Sequence, residues 1–451
     1  MTGDGAGLFY ENASATAFRL GTGLVSIGAG GQVTWWLSFS DSHTIANAFS
    51  LSGGTLHSED AFNTFAGLVT LASGTSTISA RYEDSYTFSG GLAGSGNVLF
   101  TQAGGTGAWA APTFVLSAAN SNSGSVRVTG SSGGGATRLR LANVNALQNA
   151  TLDLAAGDQG TVEFTVAGTT TYSLGGLQGS RNLALGGNSL SIGGNNASTT
   201  YSGVLSGSGG VTKTGRGNLV LAGANTFAGA TTVSGGRLSV DGSLATAAVT
   251  VQSGAALGGS GSIAGSLAVN VGGTLSPGNS IESLAAGATT FSGSSTFAYE
   301  YDSTNPGSLA TAADLLVVSG SLSIAPGSLL TLTDITSGTV QPLANNTTVF
   351  AMVNYSGGWN GGLFTYSGDE LADGELFSVG GQQWQIDYDY TYNTASPTTV
   401  RPANYRGDYL PSSGTQTFVA ITAVPEPSIY CLALAGLACG GYFGRRRRKR
   451  A

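Results

Sequence analysis

The sequence predicts an all-β protein: a parallel β-helix, or β-solenoid, with a C-terminal β-cap and one short C-terminal hydrophobic helix. Three observations carry this. Apolar residues recur every 18 or 19 positions through the middle of the chain. Thr, Ser, Val and Tyr lie between abundant glycines, while the helix formers Lys and Glu are scarce. The chain ends in an uncharged apolar run followed by a basic cluster.

Composition supports the all-β class. Only 9% of the 451 residues are charged, against roughly 25% in an average soluble domain. Low charge with recurring Val, Leu and Ile argues for a packed chain rather than a solvated disordered one. The 73 glycines spaced between β-branched residues suit strands joined by tight turns. Both cysteines, Cys431 and Cys439, lie in the C-terminal apolar run. No disulfide or Cys-rich metal site can therefore form in the preceding 430 residues, and strand pairing must supply the stability.

Residues 1–288 read as the solenoid, most clearly over 88–130 and 201–280. Leu219, Leu238, Leu257 and Leu275 follow one another by 19, 19 and 18 residues, and Val233, Val251 and Val269 by 18 and 18. Around them apolar and polar residues alternate, which turns one face inward. Gly235-Gly236, Gly258-Gly259 and Gly272-Gly273 mark turns. A unit this short cannot bury its inner face alone, whereas stacked coils can. A longer unit also recurs. Phe88 to Val98 matches Tyr201 to Val211 at an offset of 113, and Leu116, Asn120, Gly124, Val128 and Gly130 match Leu221, Asn225, Gly229, Val233 and Gly235 at 105. The difference fits a loop insertion near Thr101 to Ala108, and duplication explains the shared order better than chance likeness does.

The block from Val211 to Leu238 resembles the autotransporter-associated β-strand repeat, and Gly273-Thr-Leu-Ser-Pro-Gly-Asn279 resembles the segment that often follows it. The resemblance covers roughly residues 88–290. It implies a right-handed β-helix of the autotransporter passenger type; handedness comes from the resemblance and not from spacing.

Residues 289–423 change in texture. Aromatics and acids rise, as in Phe297-Ala-Tyr-Glu-Tyr301 and Trp384-Gln-Ile-Asp-Tyr-Asp-Tyr390. Strands are expected at Leu315 to Val318, Leu329 to Leu332, Val349 to Tyr355 and Phe418 to Ala423. This region reads as a C-terminal β-cap or small β-domain, since an open solenoid end leaves strand groups unpaired.

Residues 424–451 form the tail. Pro425, Glu426 and Pro427 precede an apolar run from Ile429 to Phe443, and Arg445, Arg446, Arg447, Arg448, Lys449 and Arg450 follow it. Fifteen helical residues span about 22 Å, short of a hydrocarbon core of about 30 Å; snorkelling arginines and local thinning cover part of the deficit. The basic cluster would stay cytoplasmic, which puts the body on the far side. This tail is similar to the PEP-CTERM sorting signal. That resemblance implies a transient membrane anchor, processing near the motif by an exosortase-type membrane enzyme, and delivery of the body to the cell surface or extracellular matrix. Met1 to Gly7 shows no signal peptide. The sequence is therefore expected to begin downstream of its true start; the competing reading keeps the product in the cytoplasm.

Charge excludes one class of partner. The chain has 17 basic and 24 acidic residues, and six of the basic ones lie in the tail. The acidic remainder is a poor match for nucleic-acid phosphate.

Candidate chemistry is thin, and no catalytic, cofactor or metal residue is expected. Gly130-Ser-Ser-Gly-Gly134 fits G-x-S-x-G formally, but both histidines, His43 and His57, lie upstream of it. Those two, with Glu59 and Asp60 nearby, read as surface or turn residues before metal ligands. Asp369, Glu370, Asp373 and Glu375, and Asp387 with Asp389, offer oxygen ligands to calcium, but no calcium-binding motif accompanies them and solvated loop acids are the plainer reading. Asp153, Asp158, Glu163, Asp241 and Glu282 are too dispersed for a glycosidase pair. Arg406-Gly-Asp408 reads as coincidence. The aromatics of 297–301 and 384–392 suit sugar stacking or ordinary strand packing equally. The expected function is that of a non-enzymatic exported structural or adhesive protein associated with exopolysaccharide. A β-helical polysaccharide lyase or hydrolase, and a passive spacer without ligand, are the alternatives.

Overall fold

The computed structural model describes residues 7–11, 23–36, 42–59, 62–81, 84–103, 111–130, 136–304, 312–336, 343, 348–393, 395, 399–403 and 415–424. Every regular element among them is a β-strand. The helix expected over 429–443 lies outside the described residues. The chain divides into two compact units, Met1–Ser276 with Ala285–Gly287, and Pro277–Leu284 with Ala288–Ala451.

The first unit is a parallel β-solenoid. Its strands pair in parallel with their counterparts in neighbouring coils. Thus Phe62–Phe65 lies between Ser42–Ile45 and Ser85–Phe88 in a six-stranded sheet. Val69–Ser73 joins Phe49–Ser52 and Leu92–Gly94 in a four-stranded sheet, and Thr75–Ala80 joins Thr55–Glu59 and Asn97–Gln102 in the largest one. Pairing between coils satisfies backbone groups that a buried strand cannot leave bare, and side chains alternate in and out along each strand.

The expected ladders are in register. Leu219 stands opposite Leu238, and Leu238 opposite Leu257. The Thr274–Pro277 strand, which carries Leu275, pairs with Ala255–Gly259. Val233, Val251 and Val269 form a second column. All seven side chains are buried. Each expected Gly-Gly turn contains one glycine with positive φ, Gly236, Gly259 and Gly272, a conformation that a Cβ disfavours.

Coil length differs from the 18–19 residues of the middle region. Toward the N-terminus Ser85 stands over Phe62, 23 residues away, and Thr113 over Ser85, 28 away. These wider coils enclose an aromatic core. Phe49, Phe65, Phe88, Phe100 and Phe114 follow one another through ring contacts of 5.0–5.9 Å. Close-packed rings need a longer perimeter than the aliphatic columns above them. Between the two regimes lie two long strands, Leu147–Leu154 and Thr171–Gly179, with a register shift between Leu147 and Thr151. Thr171–Gly179 then pairs with two separate strands of the next coil, Ser189–Ile192 and Thr199–Tyr201. A register irregularity of this kind bends a strand, and here one strand per coil becomes two.

In the second unit four pairs are parallel: Thr289–Phe291 with Leu322–Ile324, Thr296–Tyr301 with Ser328–Asp334, Leu315–Val318 with Val349–Tyr355, and Ser328–Asp334 with Phe364–Tyr366. The direction then reverses. Val349–Tyr355 pairs antiparallel with Thr415–Val424, which pairs with Gln382–Asn393, itself paired with Leu376–Val379. The four strands expected from sequence in this region are all present. Leu315, Val349, Ala351, Phe418 and Ala420 pack together as a core cluster. The fully buried side-chain oxygens of Asp314 accept the backbone N–H groups of Glu282 (3.2 Å) and Glu300 (3.1 Å), so this buried polar group is matched by donors.

Candidate functional site

The block from Val211 to Val240 is built around one buried cation. Lys213 lies on the inward face of the Val211–Lys213 strand and is 1% exposed. Its Nζ donates to the carbonyls of Thr214 (2.5 Å), Gly215 (3.1 Å) and Gly235 (3.1 Å). Three ammonium protons thus meet three backbone acceptors, two beside it in sequence and one in the following coil. Burial pushes its pKa down to about 8. One coil face away, Asn225 is equally buried. Its Oδ1 accepts the Leu205 N–H and its Nδ2 donates to the carbonyls of Gly223 and Ser243. Both polar side chains tie successive coils together, which is structural work.

Two acids of the first unit are held in ion pairs. Asp158 forms a bidentate pair with Arg127, and Glu163 lies 2.7 Å from Arg140. In the second unit Glu282 accepts the Asn279 N–H. The two histidines are held by different sheets. His43 lies in Ser42–Ile45 opposite Asn63, and His57 in Thr55–Glu59 with its Nδ1 2.9 Å from Ser79 Oγ. The G-x-S-x-G serine, Arg406-Gly-Asp408, Pro425, Glu426, Pro427, the run from Ile429 to Phe443 and the basic cluster Arg445 to Arg450 lie outside the described residues. No helix among the described residues is long and apolar enough to cross a membrane.

Folding sorts the acids of 369–389 in a way that spacing did not show. The carboxylates of Asp373, Asp387 and Asp389 come within 4.8 Å of one another, whereas Asp369 and Glu370 form a separate short strand. The meeting point is a register shift between Asp387 and Tyr390 in the long strand. Asp373 accepts the Tyr388 N–H at 3.0 Å, and Asp387 accepts the Asp389 N–H at 3.1 Å. Two of the three acids therefore serve a bulge. Burial, with the charges of Asp373 and Asp389 adding to it, raises the Asp387 pKa to about 6.

The aromatics of 297–301 and 384–392 are core more than surface: Phe297, Tyr299, Tyr301, Trp384 and Tyr388 are all buried. Two of them, Phe297 and Tyr388, belong to a column that residue spacing did not reveal. Phe297 stacks on Phe364 (5.8 Å, 20°), Phe364 on Tyr388 (6.4 Å, 25°) and Tyr388 on Trp359 (5.1 Å, 3°). The Phe364 N–H donates to the Tyr388 hydroxyl at 2.8 Å, and the Trp359 indole N–H to the Gly362 carbonyl at 2.8 Å. Trp359 is only partly buried, so the column runs from the core to the surface. Its signal in the sequence was there to find: a lone Trp between two glycine pairs, Gly357-Gly358 and Gly361-Gly362.

Fold and site together define a long solenoid scaffold with polar ties between coils. Residues 211–240 match the model of the passenger-associated-transport-repeat family, the segment that holds Lys213 and Asn225. No curated protein matches the chain. The repeat and the solenoid fit an autotransporter-like passenger, a surface-exposed kind of protein.

Proposed function

We propose that the chain is a non-enzymatic structural or adhesive protein of the cell surface or matrix, sorted by its C-terminal tail and associated with exopolysaccharide. The observation that carries this reading is the repeat at 211–240 lying on in-register aliphatic columns. A stack of coils whose inner faces are filled by Leu and Val and whose polar core groups are tied to backbone is a stiff display surface. The acids of the first unit that form ion pairs are drawn away from acid–base chemistry. The tail supplies the address: Pro425-Glu426-Pro427, an apolar run too short to span easily, and a basic stop. Its processing would fall to an exosortase-type membrane enzyme, and the membrane contact would be transient.

The test is fractionation of cells that export the full chain through a supplied signal peptide. Release of the body to surface or matrix is expected for the native tail. Replacement of Pro425, Glu426 and Pro427 by alanine should leave the full-length chain in the membrane fraction. Equal release of both forms would overturn the sorting role, and turnover of neutral or acidic glycans by the purified chain would overturn the non-enzymatic one.

A further inference from the structure

We propose that Trp359 is a stacking platform for the pyranose rings of a neutral polysaccharide. The inference deepens the proposed association with exopolysaccharide and rests on it. Four rings in near-parallel contact fix the orientation of the outermost one, with Tyr388 covering one of its faces at an interplanar angle of 3°. Among the described residues Tyr388 is the only ring in contact with Trp359. The indole N–H is already used by Gly362, so what Trp359 offers a ligand is a flat apolar surface. Trp359 is itself partly exposed, in a loop whose neighbours Ser356, Gly357, Gly358 and Asn360 are exposed. Asn360 braces the loop, with Oδ1 accepting the N–H groups of Ile324 and Gly362 and Nδ2 donating to Ser323 Oγ and the Ile324 carbonyl. A ring held this way loses little freedom when it binds.

A sugar with equatorial hydroxyls presents a C–H face of matching shape and polarity to an aromatic ring. Charge selects among glycans. Residues 277–423 contain twelve acidic residues against Arg401 and Arg406, so a polyuronate is repelled and a neutral chain is not. Stacking alone gives weak contacts, which a surface protein displayed in many copies multiplies.

The experiment is affinity electrophoresis of the full chain through gels containing neutral polysaccharides (cellulose derivatives, xylan, galactomannan) or anionic ones (alginate, pectate). Retardation by at least one neutral glycan is expected. Trp359→Ala should weaken it about tenfold or more, and Trp359→Phe should keep part of it. Because Trp359→Ala also removes a packed ring, a second measurement uses the unaltered chain: oxidation of Trp359, followed by mass spectrometry, should slow when glycan is bound. If no glycan, neutral or anionic, retards the chain, the platform and the exopolysaccharide association fall together. If glycan retards the chain but Trp359→Ala migrates the same way, or Trp359 stays unprotected, only the platform is overturned. Retention by anionic glycan alone overturns it as well.

Discussion

The Oδ1 atom of Asn225 accepts the Leu205 backbone N–H at 3.0 Å, across one coil. The same bond joins Asn120 to Leu92 at 2.9 Å. These are the residues that the two sequence offsets, 113 and 105, set against each other. Matching glycines behave alike: a Cβ on Gly124 would stand 2.1 Å from the Gly96 oxygen, and one on Gly229 2.4 Å from the Gly209 carbonyl carbon. The two copies nevertheless use different sheets, since Phe88 pairs in the six-stranded sheet and Tyr201 in the largest one. What the repeat preserves is the contact between consecutive coils.

Replacing Asn225 by alanine strands the Leu205 N–H and removes a donor from the Ser243 carbonyl in a buried place. A loss of about 2 kcal/mol is expected, read as a lower urea midpoint. Asn120→Ala, which breaks the bond to Leu92 and one to Ala146, should cost about the same. The two losses should add, since the sites share no partner. A neutral Asn120→Ala beside a costly Asn225→Ala would break the equivalence of the copies.

Leu238 lies between Leu219 and Leu257 in one buried column. Leu238→Ala opens a cavity against both neighbours and should cost about 3 kcal/mol. Val220, which alternates outward on the preceding coil, should tolerate alanine within about 0.5 kcal/mol. Thermal unfolding of the pair of variants decides it; equal losses would contradict the inward column.

Lys213 gives stability a rise at alkaline pH. Its pKa in the folded chain is pushed down to about 8 from 10.5, so between those values the unfolded chain holds a proton that the folded chain has released. Stability therefore increases as pH rises through that window and is flat below it. The three carbonyl contacts favour the charged form and reduce the gain, which should reach about 2 kcal/mol. Lys213→Met should remove the slope. Urea midpoints at pH 7.5 to 10.5 measure it, and parallel profiles for both chains would exclude Lys213 as the source.

Asp387 acts in the opposite direction. Its folded pKa is raised from 3.8 to about 6, so the folded chain gains its proton first on acidification. The contribution is fully present below about 3.8 and is lost as pH rises through about 6. Asp387→Asn keeps an oxygen for the Asp389 N–H and removes the charge. It should stabilise the chain near pH 7 by about 1 kcal/mol, allowing for solvent screening at this partly exposed site, and flatten the acid limb. Unchanged stability at pH 7 would show that neither burial nor the neighbouring carboxylates disfavour the Asp387 charge.

Much of the first unit was legible because a solenoid writes its tertiary contacts into its spacing. When residue n always lies against residue n plus one coil, the periodicity of Leu219, Leu238 and Leu257 is itself the packing. The N-terminal coils were less readable. Their length varies from coil to coil, and the aromatic column of Phe49, Phe65 and Phe88 follows no fixed interval. The acids of 369–389 failed for a related reason: spacing grouped Asp373 with Asp369 and Glu370, while a register shift grouped it with Asp387 and Asp389.

Composition and period alone determined that this chain is all-β, that its core is stacked and that cysteine plays no part in its body, because those follow from which side chains can be buried by repetition. Only the tertiary structure decided which polar groups the core would hold and where aromatic surface would emerge. Lys213 finds its third carbonyl in the next coil, and Trp359 is oriented by Tyr388, 29 residues later and paired into an antiparallel sheet. The Gly235 carbonyl lies one coil away and Tyr388 lies outside any repeat, so neither partner shows in the residues beside the side chain it meets.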